Sequence, residues 1–183
     1  MQELYLMMNK GLNVVCSKVS DSHPVLYDFL GEFANLEKIH SVGRLDSDST
    51  GLIFLTTDGF FTHFLESPET HLPKTYKIEL KNPVSDGDMD FYQKAFEQGI
   101  FLPEYKKGSA FTTRPSKLKF DDFLHCTVVL TEGKYRQIRR MFSVLGNEVA
   151  SLKRIAIGSV VLDDNLGENE WRFLTEEEVK ALE

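Results

Sequence analysis

An aspartate between an arginine and a run of serines, just ahead of an apolar strand, can serve as an active carboxylate. The stretch Val42-Gly43-Arg44-Leu45-Asp46-Ser47-Asp48-Ser49-Thr50-Gly51-Leu52 leads into Ile53-Phe54-Leu55 and then Thr56-Thr57-Asp58-Gly59. A loop rich in Gly, Ser and Asp can hold Asp46 at the mouth of that strand, with Arg44 available to keep the acid ionised. Taken alone, an Asp between two glycines is also an ordinary turn residue. A hydrolase using Asp46 and Asp48 as an acid pair is the weaker chemical alternative. The Ser and Gly around them suggest a loop, and no substrate-binding aromatic cluster accompanies them.

A second segment carries charge rather than a nucleophile. In Leu130-Thr131-Glu132-Gly133-Lys134-Tyr135-Arg136-Gln137-Ile138-Arg139-Arg140-Met141-Phe142-Ser143-Val144-Leu145-Gly146-Asn147, the residues Ile138, Met141, Phe142 and Leu145 fall at i, i+3, i+4 and i+7. That spacing predicts an amphipathic helix stopped by Gly146, with its arginines on the other faces. Arginines near a helix start can meet phosphates, although a basic face can equally solubilise the helix or pair with acids elsewhere. Between Gly133 and Arg154 the cations Lys134, Arg136, Arg139, Arg140, Lys153 and Arg154 stand against Glu148 alone, inside a chain of net charge -7. From Asp163 onward the balance reverses, and the end of the chain reads as a solvated acidic tail.

The elements that position these groups alternate between strand-like and helix-like to the end, with no internal repeat and no long Pro/Gly/Ser linker. Strands are expected at Leu4 to Met8, Asn13 to Cys16, Leu52 to Thr56, Thr75 to Leu80, Ser109 to Thr113, Lys117 to Phe120, Phe123 to Leu130 and Ile155 to Leu162. A helix is expected after Ser22-His23-Pro24, carrying Val25, Leu26, Phe29 and Leu30. Another is capped by Asp58 and places Phe60, Phe61, Phe64 and Leu65 in the core, and a third runs from Asp86 to Glu97 and stops at Gly99. Thr175-Glu176-Glu177-Glu178 opens a terminal helix through a capping box. The pattern is α+β: a mixed, mainly antiparallel sheet with helices packed on it.

A chain of 183 residues that is 42% hydrophobic can bury a sizeable core, and it is read as one domain over 1–183. No apolar run approaches the roughly 20 residues that span a bilayer, and the start lacks a signal-peptide pattern, so a cytoplasmic setting with no membrane partner is the default. Cys16 and Cys126 sit inside apolar segments and read as buried free thiols. His40, His63 and His71 lack metal-ligand spacing, and no zinc pattern occurs.

Taken together, the Gly43-Arg44-Leu45-Asp46 motif with its Gly51-Leu52 strand, the entry Lys74-Thr75-Tyr76, and Glu132 to Met141 resemble the RsuA-like family of ribosomal RNA pseudouridine synthases. The resemblance runs from Tyr5 to Leu182. Tyr5 to Lys10, His23 to Tyr27 and Leu174 to Glu178 look more like the branch that modifies small-subunit (16S) ribosomal RNA than like the large-subunit branches, and a synthase acting on large-subunit rRNA is the alternative within the family. Where family members commonly have Lys-Pro-x-Gly this chain has Lys10-Gly11-Leu12-Asn13, in which Asn13 can take a left-handed conformation. Many relatives also carry an S4-type RNA-binding domain, and none is expected in this chain.

The resemblance implies a pseudouridine synthase fold and isomerisation of uridine to pseudouridine. Asp46 is then nucleophile or base in glycosidic cleavage. Arg139 holds a carboxylate ionised, where lysine would be a poorer fork, and Tyr76 stacks on the detached uracil and takes the proton from C5. Arg44 and Lys74 are second-rank candidates, and Lys134, Arg136 and Arg140 are expected to line the RNA surface through phosphates. The target nucleotide is flipped out of its stack, and no cofactor or metal is required, since all bonds exchanged belong to one nucleotide. The partner is ribosomal RNA, free or in an assembly intermediate, and the enzyme has no need to dimerise. A non-catalytic RNA-binding module would keep the basic helix but gain nothing from Asp46, Tyr76 and Arg139 together.

Overall fold

The computed structural model describes residues 2–183. In chain order its elements are β1 (Tyr5–Lys10), β2 (His40–Val42), β3 (Thr50–Thr56), α1 (Gly59–Glu66), β4 (Lys74–Leu80), α2 (Asp86–Gln98), β5 (Phe101–Leu102), β6 (Phe111–Thr112), β7 (Lys117–Phe120), β8 (His125–Leu130), α3 (Gln137–Val144), β9 (Val149–Ile157), β10 (Val160–Val161), β11 (Trp171–Phe173) and α4 (Glu176–Leu182). The α+β class with a mainly antiparallel sheet is as expected. The chain forms two compact units, the first running up to Leu72 and again from Lys153 to Glu183, the second Pro73–Leu152.

In the first unit β1 lies between β11 and β3, antiparallel to both, and β2 adds antiparallel to β3. Along its other edge β3 runs parallel to β9, with Thr50 opposite Lys153 and Gly51 opposite Arg154. β3 is an unbroken apolar run because both its faces are covered. Ile53 and Leu55 join Leu6, Met8, Leu26 and Leu30 in one core, while Leu52 and Phe54 join Met7, Phe61 and Leu65 in another. Asp58 caps α1 by accepting from the amides of Phe60 and Phe61, as its position before the helix predicts.

The second unit is built on β4, β8 and β7, each antiparallel to the next. α2 and α3 contribute Tyr92, Phe96, Ile138, Met141 and Phe142 to its core, together with Tyr76, Ile78 and Leu80 from alternate positions of β4. α3 begins at Gln137, and Gly146 beyond its end takes φ 86°, the left-handed stop its sequence position predicts.

Five local expectations differ from the structure. The segment Ile155 to Leu162, expected as one strand, is a hairpin: Gly158 at φ 57° turns the chain so that Val160 of β10 pairs antiparallel with Ile157 of β9. Residues 26–33 form two short 3₁₀ turns instead of an α-helix, because Gly31 at φ 57° interrupts the chain after one turn. The segment expected as a strand at Asn13 to Cys16 keeps a single bridge from Val15 to Val25. Phe60 and Phe64, expected in the core, are 91% and 43% exposed, leaving Phe61 and Leu65 as the buried stripe of α1. The acidic tail is folded: Arg172 ties Asp163 to Glu178, and Thr175 and Glu178 form the expected capping box at the start of α4.

Candidate active-site residues

The structure places Arg44 and Asp46 in the first unit, in the loop from β2 to β3, and Lys74, Tyr76, Lys134, Arg136, Arg139 and Arg140 in the second. The loop is held through its backbone. Ser49 N–H donates to Asp46 O at 3.0 Å, and Asn13 N–H donates to Ser47 O at 2.8 Å. Asn13 has φ 58°, the left-handed geometry its side chain tolerates, which lets this turn do without the usual glycine. On the other side of Asp46, Cys16 Sγ lies 3.4 Å from both the amide and the carbonyl of Leu45. Asp46 itself is half-buried and Arg44 exposed.

Lys10 lies beneath this loop and was not marked by the sequence, where it reads as a turn residue. It is fully buried and donates from Nζ to Gly11 O at 2.9 Å and Val14 O at 2.7 Å. Burial pushes its ammonium below the usual lysine range, against the opposing pull of Cys16, Asp48, Asp46 and Glu168. Burial pushes the Cys16 thiol upward, so the sulfur keeps its proton. Arg154 is buried nearby in sequence register with Gly51 and donates from Nε to Leu52 O at 2.8 Å.

In the second unit Tyr76 is 8% exposed on the core face of β4, opposite Val128 of β8. Lys74 opens the same strand and is half-buried. Arg139 is half-buried on α3 and donates from Nη1 to Val149 O at 3.4 Å. At the first residue of α3, buried Gln137 accepts from Lys134 N–H at 3.1 Å and donates to Glu132 at 2.9 Å, and Glu132 also accepts from Arg114 N–H at 2.8 Å. These bonds set the turn on which Lys134 stands exposed and Arg136 half-buried at φ 48°.

Arg140 corrects the sequence reading. It is 6% exposed, and its guanidinium donates to Pro103 O and Ser109 O at 2.8 Å and Tyr135 O at 3.3 Å, over the ring of Phe111. A guanidinium spent on three carbonyls inside a fold has little left to offer a phosphate. Arg140 is a structural tie of the second unit. Among the described residues no cluster of His, Cys, Asp or Glu is placed to hold a metal, and no helix is long and apolar enough to cross a membrane.

Residues 4–144 match the model of the family described as RNA pseudouridylate synthase. The chain is 41% identical to the ribosomal small subunit pseudouridine synthase A of Haemophilus influenzae and 38% identical to that of Escherichia coli K12, in each case over 97% of this chain and 73% of the relative. A solved pseudouridylate synthase at 41% identity superposes with a TM-score of 0.88 over 99% of this chain and 74% of its own. The fold alone extends to an archaeal box H/ACA sRNP Nop10-Cbf5 complex, at 18% identity and a TM-score of 0.60 over 91% of this chain and 51% of the other. With its Gly-Arg-Leu-Asp loop ahead of a doubly covered strand, its Lys-Thr-Tyr strand entry and its basic helix in the same order, the chain belongs to the RNA pseudouridylate synthase family.

Proposed function

We propose that this chain converts a uridine of small-subunit (16S) ribosomal RNA to pseudouridine, with Asp46 as the reacting carboxylate. The observation that carries the reading is the Asp46 loop itself. Its backbone is hydrogen-bonded on both sides of the aspartate, in a chain that is 38–41% identical to named small-subunit synthases over nearly its whole length.

In the isomerisation the bond from ribose C1′ to N1 breaks, the uracil turns, and C5 bonds to C1′. The proton on C5 is lost and N1 ends protonated, so atoms balance within one nucleotide and water. Asp46 assists cleavage as nucleophile or as base. The same proposal gives Tyr76 the removal of the C5 proton and Arg139 the role of cationic fork, with the target base flipped out of its stack. Arg44, Lys74, Lys134 and Arg136 contact phosphates and set register without reading sequence. The enzyme works as a monomer in the cytoplasm, on rRNA or an immature small subunit.

Tritium release from RNA labelled at uridine C5 tests this directly, because forming the new bond must expel the label. Release by the wild type that disappears in Asp46→Asn is expected. Absence of release from both naked 16S rRNA and immature subunits, by a folded protein that binds RNA, would leave a binding module of the same fold.

A further inference from the structure

Three successive carbonyls around Asp46 each have an assigned partner. Leu45 O faces Cys16 Sγ at 3.4 Å, Asp46 O accepts from Ser49 N–H at 3.0 Å, and Ser47 O accepts from Asn13 N–H at 2.8 Å. Leu45 N–H also points at Cys16 Sγ, at 3.4 Å. One sulfur atom thus serves both polar groups of the residue before the aspartate. Leu45 and Cys16 are both buried, and the Leu45 amide and carbonyl have no other hydrogen-bonding partner among the described residues.

We propose that Cys16 is a positioning residue for Asp46: its thiol holds the Leu45 backbone from both sides and so fixes where the neighbouring carboxylate points. The proposal rests on Asp46 being the reacting carboxylate. A thiol suits the task because sulfur is a weak donor and a weak acceptor at once, with a longer bond from Cβ than a hydroxyl has. The raised thiol pKa preserves the proton that Leu45 O accepts. Valine at this position fills similar space with no polar atom, whereas serine keeps a donor and an acceptor on a shorter reach. A carboxylate whose backbone anchor loosens loses alignment with the sugar, and misplacement of about 1 Å costs on the order of 100-fold in rate.

The test compares wild type, Cys16→Val, Cys16→Ser and Asp46→Asn on 16S rRNA, reading kcat and KM by tritium release and following the Leu45 amide by hydrogen exchange. Cys16→Val is expected to lower kcat about tenfold or more at a KM within about twofold of wild type, with Cys16→Ser recovering most of the loss. Unchanged kcat in Cys16→Val overturns the proposal. So does a serine variant as impaired as the valine one, or a loss that appears equally in KM. Should Cys16→Val not fold, the wild-type Leu45 amide decides: protection approaching that of the β3 amides supports the contact, and exchange at exposed-loop rates overturns it. Activity that survives Asp46→Asn removes the catalytic reading, while the exchange result still reports on the anchor.

Discussion

Arg140 Nη2 lies 2.8 Å from the carbonyl of Ser109, and the same nitrogen reaches Pro103 O at 2.8 Å. One helix residue thereby ties α3 to both sides of the loop between β5 and β6. Gly108 is part of this tie, since a Cβ there would stand 2.6 Å from Arg140 Nη1.

Arg140→Ala is therefore expected to lower stability by about 2 kcal/mol, from lost charge-assisted hydrogen bonds partly replaced by water. For a chain of this size that is a Tm drop of about 4–8 °C. The salt dependence of RNA binding should stay as in wild type. Unchanged Tm with a shallower salt slope would return Arg140 to the RNA surface.

Lys134, exposed on the turn ahead of α3, makes the opposite case. Each phosphate contact that releases a counterion contributes roughly 0.7–0.9 to the slope of log affinity against log salt. Lys134→Ala should lower that slope by about that amount and weaken binding to all RNA sequences alike, with Tm unchanged. Filter binding at several salt concentrations checks this, and an unaltered slope would exclude Lys134 from phosphate contact.

The difference between these two residues marks where sequence stops being informative. Helical periodicity from Ile138, Met141 and Phe142 locates the buried stripe of α3 and turns Arg140 away from it. What covers Arg140 is the stretch around Pro103, Ser109 and Phe111, about 30 residues earlier, and no local pattern announces that contact. Caps and stops were legible at Asp58, Gly99, Gly146 and Thr175 because their chemistry is local. β2 and β11, three residues each, were not, since so short a strand exists only through pairing with a distant neighbour. The Asp46 loop was visible as a motif, but its supports at Asn13 and Cys16 come from an irregular segment that looked like a strand.

Tyr5 Oη donates to Asp58 Oδ2 at 2.7 Å while Asp58 Oδ1 caps α1, so one carboxylate joins β1 to the helix start. The hydrogen bond to Asp58, with burial, holds the Tyr5 phenol up to about 12, and Tyr5 in turn holds Asp58 below the usual carboxylate range. A raised tyrosine value stabilises fully below the unfolded value near 10 and is lost as pH climbs from about 10 to about 12. A lowered aspartate value stabilises above its unfolded value and is lost as pH falls through the folded one. Tyr5→Phe should cost about 1 kcal/mol at neutral pH, and its difference from wild type should shrink above pH ~10. Urea unfolding across pH measures that difference, and a gap constant up to pH ~12 would contradict the assignment.

Gly51 has φ 103° and lies opposite Arg154 in the parallel pairing of β3 with β9. A Cβ at Gly51 would stand 2.2 Å from Arg154 O and 2.9 Å from Arg154 N, both backbone atoms with no room to retreat. Gly51→Ala must therefore strain φ and separate the strands at the point where β3 leaves the Asp46 loop. The expected cost is on the order of 4 kcal/mol or more, a large share of ordinary domain stability. Gly59→Ala is the control, because a Cβ there meets nothing within 4 Å and alanine favours the helix α1 that Gly59 begins. Gly59→Ala should leave Tm unchanged or slightly raised, whereas Gly51→Ala should fall by about 10 °C or fail to accumulate as soluble protein. Equal melting of the two variants would mean that the β3–β9 approach is looser than these distances require, and that Gly51 serves the loop alone.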